Sequence, residues 1–446
     1  MATTYLSRTL GTPTSAYKGT FSAWVKIGDI NAHQALFSCG SDASNTNRFY
    51  ITNGNKLEYY GQTGGVQNTY LQTSRNFYDP GGWYHIVLAW DTTQVTGTDR
   101  VRLYVNGVEY TWDAQTTQPT ASDVLQTNLS GETLMIGATT VGPADYWTGL
   151  MSHVYFIDGL QYAASDFGET DATSGIWKPK STASVTYGDN GGLYKFASGS
   201  FGADSSGESN TMAVSGTMTD TQDGPQNNFC TLSQLSRNYG TPPTIANGAT
   251  TSTAGDNWIS GTLAVKSGKW YWEVKVPSAG VECVTGVIRA PATNTASYSG
   301  NNWIGVGVDG VYAFAGLSGN KITSGTAASY DSALSTNDIM MFAMDATNGS
   351  LYTGVNGTWL QSSNPATSTS PMISSMGTAT QDWWVPFTTL SSTGGACVNN
   401  FNFGNGYFAS TVVSSAVADG DGEGQFEYTP PTGYYALCTN NLATYG

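Results

Sequence analysis

WYHIVLAWDTTQVTGTDRVRLYVNGVE, Trp83 to Glu109, decides the fold. In its first half Trp83, His85, Val87 and Ala89 fall on one face of an extended chain, and Tyr84, Ile86, Leu88 and Trp90 on the other. Both sets are largely apolar, as in a strand buried on both sides. Asp91 to Thr98 is polar and aperiodic, hence a loop. From Arg100 the alternation is clean: Val101, Leu103 and Val105 point inward, Arg100, Arg102 and Tyr104 outward. Asn106-Gly107 then supplies two residues that tolerate the positive φ of a tight hairpin. SGKWYWEVKV, Ser267 to Val276, repeats the theme, with Trp270, Trp272, Val274 and Val276 inward and Tyr271, Glu273 and Lys275 outward. Two tryptophan-rich strands, each with its own set of neighbours, imply two β-sandwiches in tandem.

The totals agree. A chain of 446 residues accommodates two all-β domains of roughly 200 residues each. Charged residues make up 11%, against about 25% in an ordinary domain, while Gly (54), Tyr (26) and Trp (13) are plentiful. Short strands joined by polar turns have this composition. The net charge of −15 leaves no cationic footprint for nucleic acid and makes an anionic membrane surface a poor partner. No run of about 18 apolar residues is present for membrane insertion, and the N-terminus has no apolar signal core. The five cysteines, Cys39, Cys230, Cys283, Cys397 and Cys438, show no zinc spacing and no close pair; the expectation is five free thiols in a reducing compartment.

Taken in order, residues 1–180 form a first sandwich. Its strands run from a short edge strand at Tyr5–Arg8 through Gly19–Lys26, Gln34–Cys39, Arg48–Ile51 and Lys56–Tyr60 to Glu132–Gly137 and Trp147–Phe156. Residues 181–230 read as a Gly, Ser, Asp and Thr-rich connector that packs along the domains. Residues 231–446 form a second sandwich, including a glycine-thinned strand at Trp303–Val308, a hairpin over Asp338–Thr353 and a late strand at Val398–Gly404. The tail Phe426–Leu442, broken by Pro430-Pro431, is expected to clamp back over the surface.

On Phe21–Lys26, Trp83–Val87, Arg102–Gly107, Ile136-Gly137 and Gly149–Met151, the first unit resembles laminin G-like, concanavalin A-like sandwiches. On Gly268–Val274, Ile304–Gly307, Asp338–Gly349 and Asn400–Gly404, the second resembles a SPRY domain. The ordered set, with Phe156–Gly159, Gly175–Lys180 and Tyr428–Gly433, is similar to structural proteins of tailed phages, marine ones especially. That resemblance implies a virion protein displayed on the exterior and made in the bacterial host cytoplasm. Its implied partners are other virion proteins, further copies of itself in a homo-oligomer, and host-surface polysaccharide. A SPRY unit is commonly a protein-binding module, which fits assembly. Both folds host many functions, so the role rests on sites.

Among those sites, glycoside hydrolysis needs paired carboxylates, and no strand carries an ExDxE-like run. No GxSxG elbow is present, and His85, inside an apolar strand, reads as a hydrogen-bonded core residue. The expected chain is therefore not an enzyme. The laminin G resemblance implies calcium as the candidate cofactor, with Asp91, Asp99 and Asp204 as candidate ligands; turn-capping by the same carboxylates is the competing explanation. Glycan binding needs exposed rings beside short polar groups. Tyr59-Tyr60, Trp112-Asp113, Tyr146-Trp147 and Trp383-Trp384 are read as loop aromatics, and Tyr60, Trp112, Tyr146, Trp147 and Trp383 are the candidate ligand-binding residues. The alternative is a capsid decoration or assembly protein with these rings buried at subunit contacts.

Overall fold

The computed structural model describes residues 3–113, 117–140, 142–236, 244–253, 257–278, 282–290, 310–377, 382–390 and 397–446. The chain forms two compact units, Met1–Asp220 and Thr221–Gly446, both nearly all β.

The strands of the first unit are β1 (Tyr5–Thr9), β2 (Lys18–Lys26), β3 (Gln34–Asp42), β4 (Asn45–Ile51), β5 (Leu57–Thr63), β6 (Val66–Gln72), β7 (Trp83–Asp91), β8 (Val101–Val105), β9 (Val108–Tyr110), β10 (Thr133–Ile136), β11 (Leu150–Asp158), β12 (Gly168–Thr170), β13 (Trp177–Pro179), β14 (Gly192–Tyr194) and β15 (Ala213–Ser215). They build a seven-stranded sheet, β15-β1-β10-β3-β4-β5-β6, facing a six-stranded one, β14-β11-β2-β7-β8-β9. The core between them takes one side chain in two from each strand: Phe21 and Val25, Phe49 and Ile51, Ile86, Leu88 and Trp90, Leu103 and Val105.

The other face of β7 is buried as well, because residues 162–187 fold over it. Val87, Tyr104 and Tyr155 pack there against Phe167, with Trp177 alongside. Tyr104, expected to point to solvent, therefore lies under this layer. His85 is sandwiched between Trp24, whose ring centroid is 4.8 Å away, and Trp177. The Trp177 indole N–H donates to His85 Nδ1 (3.1 Å), which leaves the proton on Nε2 to be donated to Ser22 Oγ (2.9 Å). Burial pushes the imidazole down to about 3, with His153 adding to the shift. His85 is the hydrogen-bonded core residue the sequence predicts.

Two expectations for the first unit change. The Tyr5–Arg8 strand is not an edge: β15 pairs outside β1, with Tyr5 opposite Ser215 and Ser7 opposite Ala213. Residues 192–194 and 213–215, placed by the sequence in a connector, belong to the two sheets of this unit. Three-residue strands have too few side chains to show a period, so their backbone pairing left no trace in the pattern.

The second unit also opposes two sheets. One runs Leu232–Ser233, Asn257–Gly261, Trp383–Leu390, Cys283–Ala290, Val311–Ala315, Asn320–Thr323, Thr326–Ser329. The other runs Thr244–Ala246, Thr251–Thr253, Val398–Asn402, Lys269–Lys275, Ile339–Asp345, Ser350–Val355, Thr358–Trp359. Trp270, Trp272 and Val274 enter the core as predicted, and Trp272 stacks on Phe342 at 5.4 Å. Asn356 and Gly357 both take positive φ at a hairpin turn. The Trp303–Val308 strand read from the sequence lies outside the described residues.

The tail does fold back. Tyr435–Ala436 adds a parallel strand beside Trp270-Tyr271, and Thr439–Tyr445 is an α-helix. In consequence Tyr271 and Glu273, predicted to face solvent, are fully buried beneath Phe426, Tyr434 and Ala436. Alternation reports which side of a sheet a residue occupies; it cannot report what later covers that side. The cysteine expectation is also corrected. Cys283 and Cys397 are disulfide-bonded with Cα atoms 6.0 Å apart, joining the two sheets, while Cys39, Cys230 and Cys438 are free and buried. A separation of 114 residues hid this contact from the sequence.

Candidate functional site

The outward face of β4, β5 and β6 collects aromatic and polar side chains in register. Arg48 lies opposite Tyr60, and Tyr60 opposite Tyr70; one step along, Tyr50 lies opposite Glu58, and Glu58 opposite Gln72. The alternation of the strands sets this up. Phe49, Ile51, Leu57, Tyr59 and Leu71 fill the core, so their neighbours Arg48, Tyr50, Glu58, Tyr60, Tyr70 and Gln72 must point the other way. Cross-strand pairs of this kind are worth about 0.2–1 kcal/mol each.

Three tyrosines on this face are half-exposed and held in place by their neighbours. Tyr50 donates its hydroxyl to Glu58 Oε1, and Gln72 Nε2 donates to Glu58 Oε2 at 2.6 Å. Tyr60 donates to Gln62 Oε1 at 2.9 Å. Arg48 lies over the Tyr60 ring (4.8 Å to its centroid) and nearer the edge of reach of Tyr50 (5.8 Å). Lys56 Nζ donates to Gln72 Oε1 at 3.4 Å, and exposed His33 approaches the Tyr50 ring at 5.7 Å. Burial pushes the Tyr50 phenol well above its usual range, with the Glu58 hydrogen bond adding to the rise; Tyr70 shifts the same way for the same leading reason. Both stay protonated donors at any physiological pH.

Chemically, the face offers ring surfaces for the C–H side of a sugar, with amide and carboxylate oxygens and hydroxyls beside them. Arg48, Tyr50, Glu58, Tyr60, Gln62, Tyr70 and Gln72 hold one carboxylate between them, whereas glycoside hydrolysis calls for two about 5–10 Å apart.

The predicted loop aromatics divide one in, one out. Tyr60 is on the face, but on strand β5 rather than a loop, while Tyr59 is in the core and bonds Thr127 Oγ1 at 2.6 Å. Tyr146 stacks on Tyr5 at 6.2 Å, and Trp147 is a core residue, 7% exposed. Trp383 is 43% exposed under Lys266, and Trp384 is buried. Trp112 packs against the core and donates its indole N–H to Val101 O at 2.9 Å, so it plugs the sandwich edge. Trp147 and Trp112 thus serve packing, and Trp383 lies in the other unit. Arg48, Tyr50, Glu58, Tyr70 and Gln72 were missed, although the alternation that placed Phe49 and Leu57 inward already marked their neighbours as outward.

The three candidate calcium ligands do not fit a calcium cradle. Asp91 is spent on Thr93 N–H (3.0 Å) and hydroxyl (2.6 Å), the Gln94 amide (2.9 Å) and Lys18 (3.1 Å). Asp99 pairs with Arg102 at 2.9 Å. Asp204 accepts from Leu193 N, Ser206 N, Ser206 Oγ and Asn210 N, all within 3.0 Å. Calcium wants six to eight oxygens, and these oxygens already hold chain donors. Among the described residues no group of three or more His, Cys, Asp and Glu side chains is placed to hold a metal ion, and no helix is long and apolar enough to cross a membrane.

A family model described as the concanavalin A-like lectin/glucanases superfamily matches residues 3–161. This stretch has a concanavalin A-like fold. Among solved structures the chain resembles the SPRY domain of human HERC1 (15% identity, 38% of this chain and 96% of that one, TM-score 0.29). It also resembles the native heptameric SAP-like pentraxin from Limulus polyphemus (19% identity, 36% and 72%, TM-score 0.27) and stonustoxin (12% identity, 39% and 27%, TM-score 0.29). At these scores the likenesses bear on no ligand or role. No curated protein matches the sequence.

Proposed function

We propose that the chain is a non-enzymatic carbohydrate-binding protein of a virion exterior, a globular tail appendage or head decoration that adheres to host-surface polysaccharide. The observation that carries the binding role is the row of half-exposed Tyr50, Tyr60 and Tyr70 on the outward face of β4–β6, set among Glu58, Gln62 and Gln72. Rings fixed by their own hydroxyl bonds lose little entropy on meeting a ligand. The virion setting rests on the ordered phrases shared with tailed-phage structural proteins, and a buried disulfide suits display in an oxidising medium. An assembly role has one observation in its favour: among the described residues Thr326–Ser329 is an exposed, uncharged edge strand, a place for pairing with another copy or another virion protein.

The test is binding of the purified full chain to a glycan array and to host cells, with calcium and with chelator. Saturable binding that survives chelator and weakens in Tyr60→Ala and Tyr70→Ala supports the proposal. Absence of binding to the array and the cells alike overturns it in favour of the assembly role.

A further inference from the structure

Arg48 differs from the paired cations of the chain, and among the described residues Arg75, over the Phe77 ring, shares its lack of a carboxylate. Lys18 is paired with Asp91 (3.1 Å), Arg102 with Asp99 (2.9 Å), Lys178 with Asp171 (2.7 Å) and Lys269 with Asp345 (3.5 Å). Arg100 has no carboxylate, yet its guanidinium donates to three backbone carbonyls, Gln94 O (2.9 Å), Pro119 O (2.8 Å) and Val95 O (3.0 Å). Arg48 has neither. Its contacts among the described residues are the two tyrosine rings, and its Nε is buried with no hydrogen-bond partner. The acid of the same face does not serve it, because Glu58 has committed its oxygens to Tyr50 and Gln72.

A half-buried guanidinium without an anion has given up hydration for little in return. The guanidinium lies over the Tyr60 ring, and a guanidinium binds a carboxylate bidentately through two parallel N–H···O bonds. The ring beside it is where a pyranose carrying that carboxylate would lie. We propose that the face selects carboxylate-bearing saccharides, uronic-acid sugars, with Arg48 as the residue that recognises the carboxylate; the inference rests on the glycan-binding reading of the same face. Lys56, just before the neighbouring strand, adds a second positive charge, and Glu58 is the negative group a ligand must avoid. The net charge of −15 repels anions at long range, so general electrostatic attraction cannot imitate the effect.

The experiment is titration of the full chain with short oligomers of galacturonic, glucuronic and mannuronic acid, each alongside its carboxyl-reduced neutral counterpart. At least one acidic oligomer is expected to bind roughly tenfold to a hundredfold more tightly than its neutral form. Arg48→Gln should bring that ratio to about one by weakening the acidic oligomer more than its neutral form, and Arg48→Lys should restore only part of it, because an ammonium lacks the fork. Unchanged amide exchange in β4 and β5 serves as the check that both variants fold. Equal binding of acidic and neutral oligomers, or a preference that survives Arg48→Gln, overturns the assignment and leaves the platform standing. If none of the oligomers binds while the array finds another ligand, the assignment alone falls. If both are silent, the platform reading falls with it.

Discussion

In the first unit Tyr50 donates to Glu58 on a sheet face that stays half-open. In the second, Tyr271 donates to Glu273 at 3.0 Å on a face sealed by the C-terminal segment. The pairs are alike in residue type and in lying on the outward side of a sheet, Tyr50 and Glu58 across β4 and β5, Tyr271 and Glu273 two residues apart on one strand. They differ in who completes the carboxylate. Glu58 is completed by a side chain, Gln72. Glu273 is completed by the backbone N–H groups of Glu427 (2.9 Å) and Tyr428 (2.8 Å), with Asn402 Nδ2 at 3.1 Å. A carboxylate held by main chain is part of the architecture, and burial pushes it up to about 7 against the pull of four donors. Glu58 is buried too, but its partners are side chains of a face whose tyrosines stay partly exposed, and side chains can exchange partners with a ligand. The first face therefore reads as a site and the second as a closure.

The largest expected effect separates the units by their staple. In the chain-entropy account, closing a loop of 114 residues is worth about 4–5 kcal/mol. Cys283→Ser should lower the stability of the second unit by up to that amount and leave the first unchanged. Amide exchange followed separately in β7 and in Lys269–Lys275 under denaturant shows which unit opens. Equal loss in both would mean that they unfold as one, and would break the comparison.

Next comes the cover itself. Phe426 is fully buried and meets the Tyr271 ring edge-on at 4.9 Å. Phe426→Ala should cost about 3–5 kcal/mol, as truncation of a core aromatic does. If the loss measured by urea unfolding is below about 1 kcal/mol, the segment lies on the surface without sealing it, and Glu273 is no more structural than Glu58.

How much of this was legible follows from the same contrast. The inward set was readable because a period of two needs only local sequence, and Trp270, Trp272, Ile86 and Leu88 are where it put them. The outward set of β4–β6 was equally readable and was passed over, because Tyr59-Tyr60 looks like an aromatic pair when it is two faces of one strand. The cover over Tyr271, the β15 edge and the Cys283–Cys397 bond depend on residues far apart in the chain, and no spacing rule reports them.

Titration sharpens the contrast with opposite signs. Glu273 has its folded value raised from 4.5 to about 7, so its contribution to stability is full below pH 4.5 and is lost as pH rises through 7. His85 has its folded value lowered from 6.5 to about 3, so its contribution is full above pH 6.5 and is lost as pH falls toward 3. Between pH 7 and 4.5, acidification should therefore stabilise the second unit and weaken the first. Thermal unfolding with unit-resolved exchange, corrected for the intrinsic pH dependence of exchange, measures both slopes. Glu273→Gln should flatten the second slope and cost about 1–3 kcal/mol, since an amide turns a donor toward groups that were all donating. Slopes of the same sign in the two units would show that groups other than these two govern the response.

The smallest expected effect on stability belongs to the open face, and that smallness is what identifies it. Tyr60 is half-exposed; its hydroxyl bonds Gln62 and its ring supports Arg48, all near water. Tyr60→Ala should shift stability by no more than about 1 kcal/mol, the scale of one surface cross-strand pair and one exposed cation–π contact. The same change should weaken saccharide binding about tenfold, because a ring of this size contributes both buried area and a stacking surface. A residue whose loss is nearly silent in unfolding and loud in binding is positioned for a ligand; one whose loss is loud in unfolding and silent in binding belongs to the wall. If Tyr60→Ala behaved like Phe426→Ala, the open face would be a second closure waiting for its own covering chain, and another copy or a partner protein would become the occupant to seek.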